Sequence, residues 1–394
     1  MLTPPRPHDH GLAPACLALT LLALACSDSG DPEDSTTANA TTVITSTASA
    51  TGTSAAATQA TSSGVTTTGA TTTGATATGA ATAGVTTDDP TTGGDEDALC
   101  PPGLEGLTPE LAGASALDVG APPQAPWESF LEGPVWAEGG VFVSQIRTFA
   151  EPGGHSPARI LKYTPGVGFA VFREDGGTNG LARRPAGPLL GASQAAQGLI
   201  ELDAVDGGAP VTPIVTSYMG AGFNSPNDLT LHANGTLYFT DPKWQCEGAG
   251  CGQGGVERAY RVDPRGVVSE IPSAPQTPNG ISLSPDHKTL YVGGLGPLTA
   301  YPVTDDGALG AGAPFGGLSG VDGMAIDCAG NIYATDNDGV IVLSPAGETV
   351  GVIAVEGSTT NAAFGGADGR TLYVTTMFPE GLHELALELP GLPY

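Results

Sequence analysis

The chain has 394 residues, with 13 basic against 41 acidic side chains and a formal charge of −28. A surface of that sign repels phosphate backbones and anionic headgroups, which excludes nucleic acid as a partner, and it concentrates divalent cations. Abundant Gly (59) and Pro (34) with little helix-period patterning point to an all-β fold rich in turns.

Residues 1–26 read as an export signal. A polar opening with Arg6 leads into an apolar run from Leu12 to Ala25 that is too short to span a bilayer and has small residues before Cys26. The run LALTLLALAC resembles a bacterial lipobox, which implies lipidation at Cys26. Ala23 stands where a leucine is usual, so cleavage without lipid stays open. Ser27 after the cysteine implies outer-membrane rather than inner-membrane retention, in the periplasm or at the cell surface, with contact to membrane through the lipid alone.

Residues 27–99 form a Thr/Ala/Gly/Ser tract, including TTTGATTTGATATGAATAG. It has too little apolar surface to offset its ordering entropy, so it is predicted to be a flexible tether with an end-to-end distance of about 45 Å. The folded domain is expected over 100–394, as a monomer. Within it Cys100, Cys246, Cys251 and Cys328 allow three disulfide connectivities. The short Gly-rich ring CEGAGC favours Cys246 with Cys251, leaving Cys100 with Cys328. A zinc site is the competing reading, but the spacing lacks paired CxxC knuckles.

From residue 128 onward a unit of about 40–50 residues recurs six times, the size of a β-propeller blade. Its second strands are VFVSQ (141–145), PLLGAS (188–193), LYFTD (237–241), LYVGG (290–294), IYATD (332–336) and LYVTT (372–376). Each is β-branched or aromatic and bounded by turn residues. The last unit stops one strand short after HELALEL, so the segment before Glu132 is predicted to close the ring. The fold expected is a six-bladed β-propeller with four-stranded antiparallel blades.

Aligned at their starts, the inner strands read LEGPVW, TNGLA, SPNDLTL, TPNGISL, VDGMAI and TTNAAF. This places Glu132, Asn179, Asn227, Asn279, Asp322 and Asn361 in one slot. Inner strands run the same way around a central channel, so these side chains converge at one mouth. Asn before Gly is common turn punctuation, but Glu is not a turn former. Two carboxylates sharing a mouth repel unless a cation lies between them. Oxygen donors without Cys or His suit a hard divalent ion, calcium above zinc, manganese or magnesium. The expected ligands are Glu132, Asn227, Asn279 and Asp322. Asp322 doubles as a candidate general base, and Asn179, Asn227, Lys243 and Trp244 are candidate substrate contacts. Gln145, Arg147, Asp241, Asp336, Met377 and Phe378 are expected around the rim, Trp136 and Phe364 in the core, and His287 in an exposed turn.

The phrases EGPVW, PNDLTLHANGTLYFTDP, PNGISLSPDHKTLYV, DGMAIDCAGNIYATD and TNAAFGGADGRTLYVTT resemble those of the regucalcin/gluconolactonase family of propeller hydrolases over roughly 128–390. The resemblance implies a catalytic divalent metal on Glu132, Asn279 and Asp322, with Asn227 as fourth ligand or substrate contact. It also implies hydrolysis of a small lactone or sugar-like cyclic ester. The regucalcin branch carries arginine where this chain has Ser225, so that branch's substrate contacts do not transfer. Two other functions remain compatible with the fold: a phosphotriesterase-like hydrolase, and a non-catalytic propeller that binds a sugar or a partner.

Overall fold

The computed structural model describes residues 100–392 apart from Ala186 and Asp338. The predicted leader, Cys26 and the 27–99 tract lie outside the described residues. Six four-stranded antiparallel sheets succeed one another along the chain, each numbered as a blade from its innermost strand outward. The inner strands are Ser129–Ala137, Thr178–Arg183, Leu229–Leu231, Pro278–Leu283, Met324–Ile326 and Ser358–Gly365. Among the described residues the only helical turns are two short 3-10 segments, Gly248–Gly250 and Gln253–Gly255.

The second strands fall where the repeat predicts. Leu237–Asp241 and Ile332–Asp336 coincide with their phrases, and the weak copy forms Leu189–Ser193. Alternation drives this: in blade three Leu229 faces Phe239 and Leu231 faces Leu237, all buried against the neighbouring blade. The core is thus a set of seams between blades. Tyr238, Tyr333 and Tyr373, from the second position of the recurring phrase, are fully or almost fully buried, each burial contributing on the order of 1.5–3 kcal/mol. The Tyr238 hydroxyl donates to Gly307 O (2.6 Å) and Tyr333 to Asp327 (3.2 Å), so the rings enter the seams without stranding a polar atom.

Ring closure occurs as expected. Leu117–Asp118 pairs with Gly381–Ala386 as the outer strand of blade six, with Leu117 opposite Glu384 and Asp118 opposite His383. This closing strand is only two residues long. Immediately upstream, Cys100 is bonded to Cys328 in the first hairpin turn of blade five, and Cys246 is bonded to Cys251, the pairing that the spacing favours. The same blade-five turn accepts Gly106 N–H at Ala329 O (2.9 Å) and Asn331 Nδ2 donates to Leu107 O (2.8 Å). From the other end of the domain, Cys328 N–H donates to Pro390 O (2.8 Å). This turn lies at the far end of the inner hairpin from Asp322, on the face opposite the channel mouth.

Two expectations need correction. His287 is half-buried rather than exposed: its Nδ1 accepts Ala233 N–H (3.0 Å) and its ring packs edge-on against His232, joining turns of blades three and four. Phe364 is core, but Trp136 is only half-buried, stacked on Tyr373 at the edge of an apolar cavity of about 500 Å3 on the face away from the mouth.

The Cys100–Cys328 link closes a loop of 228 residues that the unfolded chain would otherwise explore. Replacing both cysteines by serine is expected to cost about 2–4 kcal/mol of unfolding free energy. Urea titration followed by circular dichroism checks this, with the native β spectrum retained before the transition.

Candidate active site

The site residues sit where the inner ladders break. In blades one, two, four and six the register shifts between Glu132 and Val135, Thr178 and Leu181, Pro278 and Ile281, and Thr359 and Ala362. In blades three and five, pairing begins only after Asp228 and Gly323. Such bulges re-aim a side chain out of the pleat, here toward the channel. The glycine that follows the slot has its own cause. A Cβ on Gly133 would lie 2.3 Å from Asn179 O, and one on Gly280 2.6 Å from Asp322 O, because adjacent inner strands nearly touch there.

Hydroxyls of the second strands hold these breaks in place. Thr240 Oγ1 accepts Asp228 N–H (3.1 Å) and donates to Asn279 O in the next blade (2.6 Å). Thr335 Oγ1 accepts Gly323 N–H (2.7 Å) and donates to Thr360 O (2.8 Å), while Thr375 Oγ1 accepts Asn361 N–H (3.1 Å). The Thr in LYFTD, IYATD and LYVTT is therefore the device that holds the interrupted segment, and in the first two it also reaches the following blade. Sequence reasoning used those phrases as strand markers and missed this role.

At the mouth, Glu132 is buried, one carboxyl oxygen accepting Gly133 N–H (2.8 Å). Burial first, and then the charge of Asp322, push it well above the usual carboxylate range. Asp322 is half-buried and accepts a hydrogen bond from Asn279 Nδ2; burial pushes its carboxyl up to about 7 against that bond. Asn279 Oδ1 is left buried without a partner. A third carboxylate, Asp228, was not foreseen. It is buried, accepts Leu229 N–H (2.9 Å), Ile281 N–H (3.3 Å) and Asn361 Nδ2 (3.4 Å), and burial raises it to about 6. It occupies the slot that is Gly in four of the other blades, and that exception in SPNDLTL was the available signal.

The other expected contacts divide. Asn227 is buried in the slot, its main chain bonded to Thr240 O (2.9 Å) and Gly180 N–H (2.5 Å). Asn179 is also buried, its amide donating to Gln245 Oε1 (3.3 Å) and its Oδ1 unpartnered. Trp244 joins Asn279, Asp322 and Asp336 in one cleft of about 190 Å3, whereas Lys243 is exposed and does not line it. Two rim expectations are overturned by burial. Gln145 is sealed between Pro123 O, Arg159 and Glu380, and Asp241 lies under Asn224 N–H (3.0 Å), its carboxyl pushed by burial to about 7. Ser225 has a positive role: its Oγ donates to Pro242 O (2.8 Å) and accepts Gln245 N–H (3.3 Å), holding down the loop that carries Trp244.

The donors fit a hard cation. An orphaned amide oxygen, the buried Glu132 carboxylate and the half-buried Asp322 carboxylate that raises it form an oxygen-only set that a divalent ion would satisfy. Among the described residues no three His, Cys, Asp or Glu side chains form a metal-holding group, so a cation held here would draw on amide oxygens such as Asn279 Oδ1 as well.

Comparison with known proteins agrees with this architecture. The sequence profile described as "SMP-30/Gluconolactonase/LRE-like region" matches residues 132–378, more than half of the chain. A gluconolactonase of Zymomonas mobilis is 29% identical over 278 residues, covering 62% of this chain and 75% of that protein. A pentonolactonase of Haloferax volcanii is 32% identical over 136 residues, covering 32% of this chain and 46% of its own length. Among solved structures, a gluconolactonase from Xanthomonas campestris superposes with a TM-score of 0.58 at 27% identity, covering 70% of this chain and 91% of its own. A calcium-binding regucalcin from Agrobacterium tumefaciens (TM-score 0.53, 23% identity, 68% and 93% covered) shares the fold.

Two outcomes follow from the crowded carboxylates. Glu132→Gln removes one repelling charge. In chelator it is expected to melt several degrees above the native protein, and its melting temperature should rise less than the native protein's when calcium is added, as differential scanning calorimetry can show. The raised carboxyls of Asp228, Asp241 and Asp322 bind protons more tightly folded than unfolded. Their stabilisation is full below about pH 4 and is lost as pH rises toward about 7. In chelator the melting temperature should fall across that window, and a rise there would contradict the burial described.

Proposed function

This chain belongs to the SMP-30/gluconolactonase family, and from that premise we propose that it is a divalent-metal-dependent hydrolase that opens a lactone ring, a carboxylic ester hydrolase of the gluconolactonase type. The observation that carries the reading is Asn279 Oδ1, buried and unpartnered beside Asp322, with Glu132 forced close to the same carboxylate. Glu132, Asn279 and Asp322, with Asn227 as a fourth donor, would hold calcium or a similar hard ion. When bound, the ion would stabilise the oxyanion formed at the lactone carbonyl and acidify a water.

The chain's own residues do the rest. The Asn279 amide fixes one oxygen of Asp322 by its hydrogen bond and leaves the other to accept a proton from the attacking water. Asn361 ties Asp228 and Glu132 together from below, so the floor of the mouth does not give way when charge develops. The loop from Pro242 to Cys246 is fastened by Ser225, by Ser156 N–H to Gln245 O (2.8 Å) and by the Cys246–Cys251 link, which presents Trp244 over the cleft and limits water. The disulfides are in keeping with an exported head, the setting that the leader and tether predict.

Dialysis against chelator is expected to abolish hydrolysis of glucono-δ-lactone in a pH-stat, and added calcium to restore it. Asp322→Asn should lower kcat by about a hundredfold or more while the fold persists. Full turnover by the chelated protein, or by the Asp322 variant, would sink the mechanism.

A further inference from the structure

The cleft above Asn279 and Asp322 has a mixed lining. Its apolar members are Trp244, 46% exposed; Leu295, 57% exposed; and Val321, buried. Thr277 and Thr359 also line it, but their hydroxyls are already engaged. Thr277 Oγ1 donates to Glu257 (3.0 Å), and Thr359 Oγ1 is held between Asp336 O and Gly339 O (2.9 Å to the latter). Among the described residues no Lys, Arg or His lines the cleft, and the remaining polar side chains above its floor are Asp336 and Asn337. A polyhydroxylated ring would bring several hydroxyls to a cleft with few free partners, each left unpaired at a cost. An alkyl group laid along Trp244 and Leu295 would instead cover apolar surface that stands in water at the lip.

Resting on the lactone-hydrolase reading, we propose that the preferred substrate is a neutral lactone bearing an aliphatic arm. The ring lies against Asn279 and Asp322, and the arm leaves over Trp244 and Leu295. A lactone carrying phosphate or carboxylate is disfavoured by Asp322 and Asp336, with no cationic side chain to offset them. Trp244 and Leu295 then set specificity, and the anchored Pro242–Cys246 loop fixes the indole at a set height over the ring.

Lactams, which share the ring but resist hydrolysis, separate binding from turnover. Piperidin-2-one, 6-butylpiperidin-2-one and gluconolactam are titrated into the full chain, with and without calcium, following Trp fluorescence, with Trp244→Phe as the control that removes the signal. The butyl lactam is expected to bind about tenfold tighter than piperidin-2-one, as three methylenes and a methyl, each half-buried, predict. Gluconolactam should bind no tighter than piperidin-2-one, and Leu295→Asn should erase most of the butyl advantage. Equal affinities for the two piperidinones, or tightest binding of gluconolactam, overturns the proposal. The corresponding lactones, assayed in parallel, keep the two readings apart. The lactam ranking without turnover of any lactone supports the cleft assignment while removing the hydrolase. Turnover of glucono-δ-lactone with a flat lactam ranking overturns the assignment while leaving the hydrolase intact.

Discussion

Three carboxylates crowd the mouth of this propeller, and the rest of the molecule is arranged around the cost of keeping them there. The charge of Asp322 raises Glu132, Asp228 adds to both, and burial is the largest force pushing each carboxyl up. Each hydrogen bond that reaches them, from Gly133, Asn279, Leu229 or Asn361, offsets part of that cost without removing it. A mouth left in this state is under electrostatic strain, and strain of that kind is characteristic of sites built for a charged ligand.

Holding like charges together requires a stiff frame, and the frame is made by hydroxyls rather than by extra strand pairing. Inner ladders are interrupted at the slot, so main-chain bonds between strands one and two are lost where rigidity matters most. Thr240, Thr335 and Thr375 replace them with bonds to the interrupted segment, and Thr240 and Thr335 also reach the following blade. Blade-to-blade coupling therefore peaks at the site, which lets four short strands per blade position groups at the precision that catalysis demands.

Much of this was legible in the sequence for a definite physical reason. Period-two apolar alternation and recurrent turn residues dictate strands, and a repeat of 40–50 residues dictates blades, so the six sheets and the closure by residues 117–118 followed from the chain. The convergence of Glu132, Asn279 and Asp322 followed from parallel inner strands. Side-chain burial did not follow, because it depends on loops of unlike length crossing the mouth. Gln145 and Asp241 occupy rim positions by register yet are sealed by residues 123, 159 and 224. Asp228 escaped notice because its neighbour Asn227 fitted the alignment first, and Lys243 points away although Trp244, one residue on, does not.

The attachment of Cys100 to the blade-five turn has a mechanical consequence. A pull applied to the chain upstream of Cys100 would be carried covalently into Cys328 and a turn braced by Asp327 and Asn331. Without that rivet the same force would peel away the two-residue strand at 117–118, the weakest seam of the ring. Tension entering the domain through Cys100 would therefore bypass the closing strand of blade six.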